Sequence, residues 1–160
     1  MVDSTNIEEE KIRAILDTVH DPEVPVLTIN DLGIVREVRV LPEKIEIVIT
    51  STYTGCPAMD MIAAQIRMTL AEHGYQNIQL ITALSPAWTT DWMSEDGKRK
   101  LKEYGIAPPD RRFSIPVDGV ECPHCHSHST TLVSEFGSTA CKALYRCEEC
   151  KEPFDYFKCH

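Results

Sequence analysis

The sequence predicts an α+β fold, a small mixed β-sheet with helices packed on one face in the order α-β-β-α-β-α, followed by a small cysteine-clipped domain. Two observations carry this. Segments of helical and strand periodicity alternate between Asn6 and Gly105, and the chain closes with Cys122-Pro-His-Cys125 and Cys147-Glu-Glu-Cys150. Each cysteine pair can place two thiolates on one tight turn, and two such turns supply the four soft ligands of a tetrahedral zinc ion. Residues 126–146 separate the pairs, a gap one residue longer than the usual C-x₂-C-x₁₅₋₂₀-C-x₂-C spacing. The expectation is a zinc ribbon held by Cys122, Cys125, Cys147 and Cys150; oxidised or unliganded thiols are the alternative.

Residues 6–19 read as the first helix. Asn6 caps, Glu9 follows at capping-box distance, and Ile12, Ile15, Leu16 and Val19 form one stripe. The prolines of Asp21-Pro22-Glu23-Val24-Pro25 stop it, because proline bars helical geometry in the residue before it. Residues 34–40 and 45–50 read as strands joined by a turn at Leu41-Pro42-Glu43-Lys44, with Ile45, Ile47 and Ile49 alternating onto one face. Residues 57–73 read as a helix with Met59, Ile62, Ala63, Ile66 and Leu70 at helical spacing and Gly74 as its stop. A third strand over 78–84 is broken by Ser85-Pro86-Ala87-Trp88, and a third helix over 94–104 ends at Gly105. The β-α-β segment implies a right-handed crossover.

The expected division is an α+β domain over 1–107, a linker over 108–115 and the ribbon over 116–160. Strands around 131–136, 143–146 and 154–158 bracket the cysteine pairs as a three-stranded ribbon. The 48 residues from 113 to 160 are near the size at which a core alone is marginal and a metal makes up the difference. His126 and Lys151 follow the second cysteine of each pair, where glycine is common, so both turns must carry a side chain there.

Composition is that of ordinary globular material: 42% hydrophobic and 26% charged among 160 residues. The net charge is −9, and residues 113–160 carry four basic residues against seven acidic ones, so the tail is acidic too. A nucleic-acid partner is not expected, since the ribbon would meet phosphate against its own field. No apolar run approaches the roughly 20 residues a membrane helix needs, and the acidic start is unlike a signal peptide, so no membrane and a cytoplasmic location are expected. Seven cysteines, an odd number arranged in ligand-like pairs, fit a reducing compartment.

Outside the clip, Cys56 stands out. It precedes Pro57, and proline favours the first helical position, which puts Cys56 at the helix N-cap where the dipole and free N–H groups lower a thiol pKa. The plain alternative is a small buried hydrophobe at a strand-to-helix turn. As a nucleophile Cys56 lacks a base, because His20 and His73 read as helix-end caps. Asp21, Glu23 and Asp31 are loop carboxylates; with one thiolate they suit a labile metal or cluster site rather than an acyl-transfer triad, and otherwise they are loop or capping acids. Cys141 and Cys159 read as free, partly buried thiols, with extra ligands as the alternative. His124, His126 and His128 flank the first turn, but four thiolates already satisfy zinc. No helix shows the carboxylate and Glu-x-x-His set of a di-iron oxygenase, and no catalytic residue is assigned.

Asp21-Pro22-Glu23-Val24-Pro25, Ile29-Asn30-Asp31-Leu32-Gly33-Ile34-Val35, the run from Thr52 to Cys56-Pro57, and Pro86-Ala87-Trp88-Thr89 resemble the small domain shared by SufT and the eukaryotic cytosolic iron–sulfur assembly factors, over roughly residues 7–107. The run from Val133 to Cys147 and the closing Pro153-Phe154-Asp155-Tyr156-Phe157-Lys158-Cys159 resemble the D-subunit (also called J) family of the phenylacetyl-CoA epoxidase system, over essentially the whole chain. The resemblance implies a non-enzymatic accessory role in bacterial aerobic phenylacetate degradation: maturation or insertion of an iron–sulfur cluster for the reductase or another oxygenase component, with cluster-assembly machinery as further protein partners. It implies a groove of Asp21, Glu23, Thr52 and Cys56. Cys56 would be a transient thiolate ligand to a metal or cluster, Glu23 or Asp21 a co-ligand or orienting acid, and Thr52 a lining hydroxyl. Cys141 becomes an additional thiol of interest. A stoichiometric docking subunit is the other reading, and homodimerisation is left open.

Overall fold

The computed structural model describes residues 4–53, 55–109 and 119–158. The element order is α1 (Ser4–Leu16), β1 (Val35–Val40), β2 (Ile45–Ile49), α2 (Ala58–Glu72), β3 (Ile78–Thr82), a 3₁₀ turn (Thr90–Trp92), α3 (Glu95–Tyr104), β4 (Ile106–Ala107), β5 (Thr130–Ser134), β6 (Lys142–Cys147) and β7 (Pro153–Phe157). This is the α+β order read from the periodicities. Most of the expected linker lies outside the described residues, as does Cys159.

The first sheet runs β1-β2-β3, with β1 antiparallel and β3 parallel to the central strand. Ile45, Ile47 and Ile49 all turn inward, as strand alternation requires. Opposite them pack Ile12 and Leu16 of α1 and Ile62, Ile66 and Leu70 of α2, every one fully buried. The helices therefore bury one stripe each against the sheet, which is the packing that makes short helices stable in water.

Helix α1 departs from its expected span. Asn6 lies inside it rather than at its cap, and it ends at Leu16 instead of Val19. The chain closes there through Thr18 N–H to Ile15 C=O and Val19 N–H to Leu16 C=O, both i→i−3 bonds that tighten the last turn. Val19 still reaches the core, so its place in the apolar stripe outlasts the helix. Helix α3 follows expectation closely: the Ser94 hydroxyl accepts the Gly97 N–H at 2.9 Å, and Gly105 caps the far end at φ 93°.

The segment between α1 and β1 has almost no regular structure yet buries Val24, Leu27, Ile29, Leu32 and Ile34. Asp31 holds it together. Its carboxylate accepts the Thr28 N–H (3.1 Å), the Ser94 hydroxyl (3.0 Å) and the Lys100 ammonium (2.6 Å), while its own N–H donates to the Thr28 hydroxyl (3.0 Å). These bonds commit Asp31 to joining the loop to α3, and place it as an organiser rather than a groove acid. Gly33 is obligatory nearby: φ is +69°, and a Cβ would sit 2.4 Å from the Trp92 carbonyl oxygen.

The ribbon is a four-stranded sheet, β4-β7-β6-β5, not the expected three. Ile106 and Ala107 pair in parallel with Asp155 and Tyr156, so the end of the first unit supplies an edge strand to the second. Two residues carry no readable periodicity, and their partner lies far along the chain. A small core of Val120, Ala143, Tyr145, Phe154 and Tyr156 fills the ribbon, with Tyr145 stacked on Phe154 at 5.9 Å. Two ribbon residues, Cys141 and Phe157, belong instead to the main core, and Phe157 meets Trp88 edge-on at 6.2 Å.

Candidate functional site

The four paired cysteines converge. Their Sγ atoms all lie within 4.8 Å of one another, with Cys125–Cys147 at 3.5 Å and Cys122–Cys150 at 3.8 Å. Tetrahedral thiolates around zinc at a Zn–S distance near 2.3 Å are about 3.8 Å apart, so the set fits such an ion. Backbone N–H groups point at the sulfurs: His124 at Cys122, Ser127 at Cys125, Glu149 and Cys150 at Cys147, and Glu152 at Cys150. They partly neutralise the charge that four thiolates concentrate. His126 and Lys151 adopt φ of 64° and 66°, the left-handed geometry that glycine usually supplies at those positions. His126 bonds Glu121 at 2.9 Å. The cluster binds metal as a closed set and leaves no position for a substrate.

The second constellation lies where the loop after α1 meets the ribbon. Asp21 is buried, and its Oδ1 accepts the N–H groups of Glu23 (2.7 Å) and Val24 (2.9 Å), which curls the Asp21–Pro25 loop that carries Glu23. Burial pushes the Asp21 carboxyl above the usual carboxylate range, against the pull of those two N–H groups and of Lys142. Glu23 Oε1 accepts the Tyr53 hydroxyl at 3.5 Å, and Glu23 Oε2 accepts the Cys141 thiol at 3.7 Å. Lys142 is buried and donates to the Glu23 carbonyl at 3.1 Å and to the Ser138 hydroxyl at 3.2 Å, fastening the ribbon to this loop.

Cys56 does not take the N-cap position expected for it but lies one residue before the cap. Pro57 is itself the cap of α2, with φ −70° and ψ −18°, so Cys56 precedes the helix and receives the Ala58 N–H. The expected low thiol pKa is overturned. Burial pushes Cys56 up; the Ala58 N–H and the Tyr53 hydroxyl pull it down, and the nearby Glu23 and Asp21 charges push it up again, for a net rise. Burial likewise pushes the Cys141 thiol up to about 11, although the Thr139 hydroxyl lies 2.9 Å from its sulfur. Both are protonated thiols at neutral pH. Tyr53 thus links Cys56 to Glu23, and Glu23 links on to Cys141.

Thr52 stands beside this chain of contacts, lining with Tyr53, Leu84, Ala87 and Trp88 a cleft of about 390 Å³. Trp88 floors it, its indole N–H donating to the Leu32 carbonyl at 2.7 Å. The histidines outside the ribbon go elsewhere: His20 to the Pro25 carbonyl and His73 to the Thr69 carbonyl, each at 2.8 Å. Sequence reasoning missed Tyr53 and Lys142. Tyr53 lay within the Thr52–Cys56 run, whereas nothing local marks a buried lysine bonded across the two units.

Residues 9–74 match the family described as iron-sulfur cluster assembly protein, and residues 108–158 match the PaaD zinc beta ribbon domain. The D-subunit of the putative 1,2-phenylacetyl-CoA epoxidase of Escherichia coli (strain K12) is 52% identical over 152 residues, covering 93% of this chain and 92% of that protein. The chain belongs to the PaaD family. An Fe-S protein maturation auxiliary factor of Porphyromonas gingivalis (strain ATCC BAA-308 / W83) is 35% identical over 95 residues, covering 58% of this chain and 90% of that protein. Among solved structures, a domain of unknown function (DUF59) from Bacillus anthracis superposes with a TM-score of 0.58 at 29% identity, covering 61% of this chain and 94% of that one. The assembly-family match contains Asp21, Glu23, Thr52 and Cys56; Cys141, Lys142 and the four ribbon thiols fall in the PaaD ribbon match. The contacts among Cys56, Tyr53, Glu23 and Cys141 therefore run across both parts of a PaaD chain. Among the described residues no helix is long and apolar enough to cross a membrane.

Proposed function

We propose that this chain is a cytoplasmic accessory factor of the phenylacetyl-CoA epoxidase system that assists maturation or delivery of an iron–sulfur cluster to a component of that system, and does not itself carry out the oxygenation. The observation that carries the reading is the placement of Cys56 beside the Tyr53–Glu23 pair, within the part of the chain that matches the cluster-assembly family. In this reading the iron or cluster is cargo. Cys56 is a protonated, half-buried thiol that gives up its proton when a soft metal arrives, which favours transient rather than permanent binding. Glu23 offers a carboxylate at the same place, Asp21 aims it, and Thr52 lines the approach. Residues 1–107 form the carrier unit and 116–160 the ribbon, in which Cys122, Cys125, Cys147 and Cys150 hold a structural zinc and the acidic surface meets a protein partner, the reductase or another oxygenase component.

A docking role without cargo is the second reading, favoured by Val133 and Phe136, large apolar side chains exposed at and just beyond the edge strand β5. Anaerobic purification of wild type and Cys56→Ser, with zinc, iron and acid-labile sulfide measured per chain, separates the two. The carrier reading expects zinc in both proteins and extra iron and sulfide only in wild type. Zinc alone in both supports the docking role.

A further inference from the structure

Cys141 comes from the ribbon, but it packs with the main core and points its sulfur at a carboxylate of the first unit. A thiol that served only to fill space would face apolar neighbours. The polar neighbours of this one are the Thr139 hydroxyl at 2.9 Å and Glu23 Oε2 at 3.7 Å, and Lys142, the next residue, bonds the Glu23 main chain. On the other side of the same carboxylate, Oε1 meets Tyr53, whose hydroxyl also meets Cys56. Two thiols therefore flank one glutamate, one directly and one through a single phenol.

We propose that Cys141 and Cys56 are the two thiolate ligands of a soft-metal site completed by Glu23, so that the ribbon supplies one of the three ligands of a site the first unit was expected to hold alone. The proposal rests on the groove reading above and names its missing ligand. A thiolate and a carboxylate oxygen on one tetrahedral divalent ion lie about 3.5 Å apart, close to the 3.7 Å between Cys141 and Glu23. The mixed sulfur and oxygen donor set suits ferrous iron, or cobalt as its stand-in, better than magnesium or calcium. The set is open at rest: among the described residues only the four ribbon thiols already stand at ligand spacing. An ion seated on Cys141 and Glu23 gathers Cys56 by taking the place of the Tyr53 hydroxyl at its sulfur. Each thiol loses its proton to solvent as the metal–sulfur bond forms, with no change of oxidation state. Zinc in the ribbon has a separate duty, to keep β6, and Cys141 just ahead of it, pressed on the first unit.

The test uses the full chain, zinc-loaded and anaerobic, titrated with Co²⁺ and followed by thiolate-to-cobalt charge-transfer absorption. One Co²⁺ beyond the ribbon metal is expected in wild type. Cys141→Ser and Cys56→Ser are each expected to weaken it at least tenfold and to reduce the charge-transfer intensity by about half, since one thiolate of two remains. If Cys141→Ser binds like wild type while Cys56→Ser does not, the inference is overturned and the groove reading stands. If wild type takes up no additional Co²⁺, both are overturned. A measurement on wild type alone guards against a misfolded variant: bound Co²⁺ should slow alkylation of Cys56 and Cys141 together, and protection of Cys56 alone overturns the role of Cys141.

Discussion

The Cys141 thiol donates to the Glu23 carboxylate across 3.7 Å, although 118 positions of sequence separate them. That contact joins the ribbon to the loop after α1 at the point where the loop faces Cys56. It also assigns different work to the two neighbouring acids. Asp21 is occupied by the N–H groups of Glu23 and Val24, and Glu23 is the one that meets Cys141 directly and Cys56 through Tyr53.

Removing the ribbon metal should loosen the tail and leave the first unit folded. Four converging thiolates repel one another without a cation, and structural zinc contributes its binding free energy directly to folding. Treatment with a strong chelator, followed by hydrogen exchange, should strip protection from β5, β6 and β7 while β1, β2 and β3 stay protected. Cys122→Ser should give the same pattern.

Asp31→Asn should destabilise the protein by about 2 kcal/mol, because it leaves the partly buried Lys100 without its carboxylate. The pH dependence has a definite sign. Burial pushes the Asp31 carboxyl up, but bonds from Lys100, Thr28 and Ser94 more than reverse this, so its folded pKa is depressed. Its contribution is present above the unfolded value of about 3.9 and is lost as pH falls through the lower folded value. Urea melts of the variant between neutral and acid pH should show a shallower loss of stability than wild type.

Gly33→Ala should cost roughly 3 kcal/mol, since the new Cβ meets the Trp92 carbonyl at 2.4 Å in a backbone conformation of φ +69°. Chemical denaturation would register it as a lower midpoint with an unchanged slope.

Cys56 should alkylate slowly at neutral pH and faster as pH rises toward and above 9, because its thiol pKa is raised. Tyr53→Phe removes a hydroxyl that lowers that pKa, so the reaction at fixed pH should slow further. Mass-spectrometric rates on zinc-loaded protein would measure both.

Much of this fold is legible locally. The α2 stripe, the β2 alternation and the Ser94 and Gly105 caps each follow from neighbours a few positions away, and the two cysteine pairs announce the ribbon. Local signals fail where partners are distant. β4 is a strand only because residues 106 and 107 find β7. The end of α1 is hidden in the sequence because Val19 keeps its core contact after the helix stops. An N-cap at Cys56 requires Pro57 to be the first helical residue, and Pro57 takes the cap itself. The raised thiol pKa then follows from burial and from Glu23 and Asp21, acids that are near only in three dimensions. Cys56, Asp21, Glu23 and Thr52 can be picked out by motif; Tyr53 as the bridge and Cys141 as the facing thiol require the packing of two units.

The central claim, that Cys56 handles iron–sulfur cargo for a partner, is tested most directly by the cluster content of the epoxidase system's reductase. The reductase is purified anaerobically from cells expressing either wild type or Cys56→Ser, at equal levels of folded, zinc-bearing protein, and its iron and acid-labile sulfide are measured. The account predicts a cluster-poor reductase with Cys56→Ser. A reductase with its full complement of iron and sulfide would contradict it.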